Sequence, residues 1–166
     1  MLDVVEKLLI LRDRDKIILE VEAEQRGLAI ERTATQTRTA DAEADLAEGK
    51  DKANHIESER KQLENDAALQ LQAKEKYLGQ QMQTKDNTEY QAFGRQIKTC
   101  EKNISELEDK ELELMLETDE QAEVIESAKG ALAEAQKDLD AAIVAIDERE
   151  KNLQDRLDET QALRDE

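Results

Sequence analysis

The chain has 166 residues, of which 40% are charged and 2% aromatic, with no proline and a formal net charge of −18. A compact globular core needs bulky apolar side chains on several faces, and this composition supplies too few of them. Ala, Glu, Lys, Leu, Arg, Gln and Asp dominate, which is typical of long helices and coiled coils. The negative charge argues against unaided binding of DNA or RNA, because lysine and arginine must neutralise the phosphates.

The start of the chain carries an apolar cluster that is not typical of a targeting segment. Asp3, Glu6 and Lys7 interrupt the cluster, and no small-residue cleavage site follows it. No stretch approaches the roughly twenty apolar residues that a membrane-spanning helix needs. The one cysteine has no partner for an internal disulfide. These features predict a cytoplasmic location without membrane insertion.

The first half contains an apolar stripe with helical spacing. It begins with Val4, Leu8, Leu11, Ile18, Val21 and Leu28. Leu9, Ile10, Ile17 and Leu19 add apolar surface outside the stripe. This extra surface either meets the far end of a second helix or forms a docking face for a partner.

A segment of small residues, 29–54, follows this stripe. Its four closely spaced threonines lower helix propensity, so the segment needs a packed partner to be helical and is otherwise a flexible middle. Gly49 could mark an additional turn, which would give three helices. We favour a continuous helix because Ala42 and Ala53 stay in phase across this glycine.

The stripe then continues to residue 82 with alternating steps of three and four. Its members are Ala42, Leu46, Gly49, Ala53, Ile56, Arg60, Leu63, Ala67, Leu71, Lys74, Leu78 and Met82.

A polar break at residues 84–88 lies almost at the midpoint and is interpreted as the tip of a hairpin. Asp86, Asn87 and Thr88 have short side chains that accept hydrogen bonds from free amides at a helix start. Asp86 with Glu89, or Thr88 with Gln91, could form a capping box. Asn87 could take a left-handed conformation there.

The second half has the clearest periodicity. Steps of three and four run from Tyr90 to Leu163 without a slip in phase, and about sixteen of these twenty-two positions are apolar. The stripe consists of Tyr90, Phe93, Ile97, Cys100, Ile104, Leu107, Glu111, Leu114, Thr118, Gln121, Ile125, Ala128, Leu132, Ala135, Leu139, Ala142, Ile146, Arg149, Leu153, Arg156, Thr160 and Leu163. Such a sustained repeat indicates a coiled coil rather than disorder.

Two segments rich in small residues, one in each half of the chain, would face each other if the halves pack antiparallel. Alanines recur at every seventh place from Ala128 to Ala142 and permit close approach of two helices. A tip near residue 86 places them opposite about residues 31–45, where the first half is rich in small residues. We therefore predict an all-α fold, a single long antiparallel coiled-coil helical hairpin over residues 1–166. Its helices are expected at about 3–83 and 89–164, and its tip at about 84–88.

The stretch around the tip resembles a known family over about forty residues. It runs Glu89-Tyr90-Gln91-Ala92-Phe93, then Ile97, then Ile104-Ser105-Glu106-Leu107-Glu108-Asp109 through Glu113-Leu114-Met115, and Leu11-Arg12-Asp13-Arg14-Asp15 is similar more loosely. It is similar to bacterial coiled-coil hairpin proteins that end in a four-cysteine zinc ribbon. This resemblance implies binding to an RpoN-type sigma factor or to flagellar and type III secretion components. Some members are implicated in binding flagellin messenger RNA.

The chain departs from this family because a zinc ribbon needs four cysteine ligands and only Cys100 is present. We expect no cofactor, with zinc entering only if a ribbon follows in the native protein. The expected function is a non-enzymatic, regulatory protein-binding module. The alternatives are a stalk or chaperone-like coiled coil of a type III export apparatus and a helical arm of a nucleic-acid-associated protein. Monomer and homodimer both remain open.

The candidate partner-binding residues lie at the tip: Lys85, Asp86, Asn87, Glu89, Tyr90 and Phe93. The aromatic pair either packs back over Leu78 and Met82 or forms a landing site for a partner. No catalytic or metal-binding residue is predicted. His55 is interpreted as a solvated residue and Cys100 as a packed apolar one.

The charge yields a first testable prediction. The isolated chain should not shift RNA in a gel at physiological salt, because its acidic surface repels the phosphate backbone. A salt-sensitive shift would contradict this interpretation.

Overall fold

The computed structural model describes residues 2–165, and its side chains from residue 4 to residue 164. Helix α1 spans Leu2–Gln83 and helix α2 spans Asn87–Asp165, so that only residues 84–86 lie between them. The two helices pack against each other, and no strand occurs in this part of the chain. The predicted all-α antiparallel hairpin is confirmed.

Helix α1 continues without a break through Gly49, which rules out the additional turn. This glycine is buried, and its carbonyl oxygen accepts a hydrogen bond of 3.0 Å from Gln121 Nε2. A Cβ atom added at Gly49 would lie 3.4 Å from Ile125 Cγ1. The lack of a side chain therefore allows α2 to pack closely here.

Contacts divide the hairpin into two units, residues 2–45 with 129–165 and residues 46–128. The first unit has a core formed by Val21, Leu28, Ile146 and Leu153, with Ile17, Ala142 and Leu157 packed against it. Val21, Leu28 and Ile146 are each 1% exposed. Burying such side chains contributes about 1.5–3 kcal/mol each relative to leaving them in water.

Small residues bring the two helices of the first unit together as predicted. Thr39 Oγ1 donates a hydrogen bond of 3.3 Å to the backbone oxygen of Ala135, and both residues are buried. The hydroxyl groups of Thr33, Thr35 and Thr37 donate to the carbonyl oxygens one turn earlier, and Thr39 shares its one hydroxyl proton between the oxygens of Ala135 and Thr35. The helix thus satisfies these hydroxyls itself, and packing on α2 compensates for its low propensity.

Ion pairs flank the core of the first unit. Arg32 contacts both Asp147 and Glu150, which raises the pKa of its guanidinium above the ordinary value, chiefly through the hydrogen bond to Asp147. Arg164 Nε lies 2.7 Å from Asp15 Oδ1. Asp15 lies four residues after Leu11, on the same side of α1, and is half-buried there with its counterion supplied by α2.

The second unit buries Ile97 and Cys100 and pairs polar residues across its interface. Asn103 Nδ2 donates to Gln70 Oε1 at 3.2 Å, and Lys74 Nζ lies 2.8 Å from Glu101 Oε1. These pairs provide partners for polar groups that the packing would otherwise leave unsatisfied.

The predicted stripe of α1 is wrong at two positions close to the turn. Leu71 is 50% exposed and Met82 is 84% exposed, although both were placed in the interface. Gln70 and Gln81 are half-buried in their stead, with partners on α2. Counted from Leu63, the half-buried positions follow regular steps of four and three. The phase of the helix therefore directs these two glutamines toward α2, and hydrogen bonds satisfy their side chains.

The stripe of α2 follows the prediction from Phe93 to Ile146 and then changes phase. Every predicted position in that range is buried or half-buried. Beyond it, Leu153 and Thr160 are buried as predicted, whereas Arg149, Arg156 and Leu163 are exposed and Glu150 and Leu157 are half-buried in their place. An α-helix has 3.6 residues per turn, so a strict seven-residue repeat drifts around it and an extra step of four corrects the drift.

The apolar surface near the start of α1 is largely exposed. Val4 and Leu8, predicted in the stripe, are each 59% exposed. Outside the stripe, Leu9, Ile10 and Leu19 are exposed, and Ile17 alone packs against the core. Burial by α2 therefore accounts for only one of the four additional apolar residues.

The contact between Thr39 and Ala135 predicts that Ala135→Leu destabilises the hairpin. A larger side chain at this 3%-exposed position would push the helices apart, at a cost of about 1–3 kcal/mol. Circular dichroism should show a melting temperature lower by several degrees. The exposed Ala133→Leu is the matched control, since it makes the same change on the same helix. Equal melting curves for both variants would refute close packing at Ala135.

Candidate functional site

Asp86 immediately precedes α2 and caps its first turn. Its Oδ1 atom accepts hydrogen bonds from the backbone amides of Thr88 at 2.7 Å and Glu89 at 3.2 Å. These amides lie in the first turn and have no partner within the helix. Asp86 is thus an N-cap, as the sequence indicated.

The reciprocal half of the predicted capping box is not formed by Glu89. Its Oε2 instead accepts a hydrogen bond of 2.6 Å from Thr84 Oγ1, and that hydroxyl accepts the Asp86 amide at 3.3 Å. Thr84 therefore links the end of α1 to the start of α2. Asn87 belongs to α2, and no non-glycine residue in the described chain has a positive φ, so the expected left-handed turn is not present.

Two further contacts hold the helices together beside the turn. Gln81 Nε2 donates a hydrogen bond of 3.0 Å to the Tyr90 backbone oxygen. The rings of Tyr77 and Phe93 have centroids 6.4 Å apart with their planes inclined by 31°. Because the two rings come from different helices, their contact stabilises the closed end of the hairpin.

The two aromatic residues predicted at the tip have different environments. Phe93 is half-buried against Tyr77 and has a packing role. Tyr90 is 52% exposed, and Met82, on which it was expected to pack, is 84% exposed. The packing interpretation therefore applies to Phe93, while the Tyr90 ring remains accessible.

The six predicted tip residues lie within one short segment but differ in their partners. Lys85, Asn87 and Tyr90 are exposed. Asp86 and Glu89 are also exposed, but their carboxylates accept the hydrogen bonds within the turn. Met82 is also accessible at the tip. It was not predicted as a tip residue because it was assigned to the buried stripe of α1. The half-buried Gln81 is the stripe residue at this point, and recognising it would have placed Met82 outside.

Two residues outside the tip, His55 and Cys100, were also considered for chemistry, and they differ in the exposure of their side chains. The His55 side chain is 75% exposed, and its Nε2 lies 3.4 Å from Glu59 Oε1 one turn later. Cys100 is a free thiol that is 5% exposed and lies in the helix interface. Within residues 2–165, no group of three or more His, Cys, Asp or Glu side chains could hold a metal ion.

Comparisons of the chain with protein-family models, with curated proteins and with solved structures each find no match. Neither described helix has a stretch long and apolar enough to cross a membrane.

The cap at Asp86 predicts a pH-dependent contribution to stability. Hydrogen bonds from the Thr88 and Glu89 amides lower the pKa of this carboxyl below its ordinary value. The folded-state pKa lies below the unfolded one, so the cap contributes fully above about pH 4, the ordinary aspartate pKa. The contribution is lost as the pH falls through the lowered folded-state pKa.

We therefore expect Asp86→Ala to melt a few degrees below the wild-type chain at pH 7, with the difference shrinking as the pH falls below about 4. Thermal melts followed by circular dichroism would measure it. Asp86→Asn is the control, since asparagine also caps helices but carries no titrating charge. A difference between wild type and Asp86→Ala that stays constant down to about pH 2 would contradict the assignment.

Proposed function

We propose that this chain is a non-enzymatic protein-binding module that contacts its partner through the closed end of the hairpin. The contact surface consists of Met82, Lys85, Asn87 and Tyr90, which we call the tip surface. The exposure of Met82 and Tyr90 carries the proposal. Exposed aromatic residues often anchor protein interfaces, and methionine adapts to varied apolar surfaces.

The contacts beneath the tip surface support this proposal. Asp86, Thr84 and Gln81 form hydrogen bonds that hold the turn, and Phe93 packs on Tyr77. A surface held in one conformation before binding loses less entropy when a partner docks. The exposed residues are consequently presented in a defined arrangement.

We further propose a regulatory partner of the kind that the family resemblance implies, an RpoN-type sigma factor or a flagellar or secretion component. The segment Glu89-Tyr90-Gln91-Ala92-Phe93 carries part of that resemblance and lies at the start of α2. Tyr90 thus belongs both to the resembling segment and to the tip surface.

Substitution of the tip surface tests the proposal. Tyr90→Ala with Met82→Ala should weaken capture of a purified RpoN-type sigma factor about tenfold, the usual effect of removing central interface side chains. The helical signal should remain, because both side chains are mainly exposed. Leu116→Ala with Leu69→Ala is the control, since these leucines are also exposed but lie outside the tip surface.

Full-strength capture by the tip variant would show that the tip surface is not the contact surface. No capture of the sigma factor by the wild-type chain would refute that partner.

A further inference from the structure

A groove runs along one side of the second unit between the two helices. On α1 it extends from Glu48 to Asp66, and on α2 from Lys110 to Val124. Two adjoining hollows form it and share Glu59 and Glu117. The α1 side spans nineteen residues, or eighteen rises of about 1.5 Å, which gives a length of about 27 Å.

The floor of this groove is mainly apolar, with Gln121 of α2 as a half-buried polar member whose amide bonds the Gly49 oxygen. Ile56 and Leu63 of α1 and Leu114 of α2 line it and are half-buried. Val124 of α2 also lines it and is 53% exposed. A side chain that entered the groove would therefore contact hydrocarbon from both helices.

Carboxylates line both edges of the groove. Glu48 pairs with Lys52, which lowers the pKa of the Glu48 carboxyl, and Glu59 lies near His55. The other lining carboxylates form no ion pair or hydrogen bond within the described chain: Asp51, Asp66, Glu113, Glu117 and Glu120. The remaining lining cation is Lys110.

Elsewhere along the chain, ion pairs between the helices neutralise carboxylates. In the first unit, Arg32, Arg38 and Arg149 pair with carboxylates of the opposite helix. In the second unit, Arg60 pairs with Glu111 and Lys74 with Glu101, and these residues do not line the groove. The carboxylates that line the groove have no such partner on the opposite helix among the described residues, and like charges repel. A positively charged partner would relieve this repulsion.

The side chains of the groove distinguish between two kinds of cationic partner, a metal ion and a basic helix. No set of three ligating side chains within residues 2–165 could hold a metal ion. The apolar side chains of the floor cannot coordinate a bare cation, whereas they can pack against the apolar stripe of a helix. Both features together fit a helix with leucine-like residues on one face and lysine or arginine beside them.

We propose that the groove between residues 48–66 and 110–124 binds a basic amphipathic helix of a partner protein, which packs there as a third helix. This inference rests on the proposed protein-binding function and adds a second contact surface with a defined partner chemistry. Apolar residues of the partner lie on Ile56, Leu63, Leu114 and Val124. Its lysines and arginines pair with the carboxylates on both edges, which favours association with basic partners.

Fluorescence anisotropy with a labelled synthetic helix tests this inference. The peptide has about 18 residues, to match the groove at 1.5 Å per residue, with leucines at steps of three and four and lysines beside them. It should bind the full chain, and raising the salt concentration should weaken it. A peptide with glutamate in place of every lysine should not bind.

Matched variants locate the binding site. Glu117→Gln with Glu120→Gln should weaken binding of the basic peptide about tenfold, because the groove then loses two counterions. Glu134→Gln with Glu148→Gln changes the net charge equally on exposed residues outside the groove and should leave the affinity within about twofold. Similarly, Val124→Ser should weaken binding, and Val144→Ser should not.

The inference would be overturned by no binding of the basic peptide, by equal loss in both glutamine variants, or by undiminished binding by the groove variant. Calcium binding that the groove variant abolishes, without peptide binding, would identify a cation site instead and also overturn it. The Tyr90→Ala and Met82→Ala variant separates the two proposals, because it should bind the peptide normally. Failure of the peptide with normal sigma-factor capture would refute the groove and leave the tip surface intact.

Discussion

Mutual burial of two narrow apolar stripes is the interaction on which this structure depends. Because 40% of the residues are charged, each helix is buried mainly along one side. Packing α1 against α2 removes Val21, Leu28, Ile146 and Leu153 from water in the first unit and Ile97 with Cys100 in the second. The remaining surface is largely charged and polar, and it includes exposed apolar side chains such as Leu69 and Leu116.

Specific contacts determine which residues face each other along this interface. In the first unit, the Thr39 hydroxyl reaches the Ala135 carbonyl oxygen, which only small residues permit. In the second unit, Gln121 bonds the Gly49 carbonyl oxygen, and Asn103 bonds Gln70. Apolar contacts alone would tolerate a shift of one heptad, whereas these particular hydrogen bonds between the helices form only in the observed register.

The same packing leaves two surfaces available for binding. At the closed end, Phe93 packs on Tyr77 and holds the start of α2 against α1. Tyr90, three residues earlier in α2, remains exposed. Along the side of the second unit, each helix contributes one acidic edge and part of an apolar floor. The tip surface is small and held by hydrogen bonds, while the groove suits an extended helical partner.

The sequence alone determined the fold class, the position of the turn and the antiparallel direction, because periodicity, a polar break and matched small residues are local or additive signals. The tertiary structure decided which residues near the turn face outward. Met82 and Leu71 are exposed, whereas the phase of the helix directs Gln81 and Gln70 toward α2, where both find hydrogen-bond partners. It also separated Tyr90 from Phe93 and brought Asp51 and Glu120 to opposite edges of one groove. Residues so distant in the sequence meet only when two helices pack, and no local pattern records which sides they present to each other.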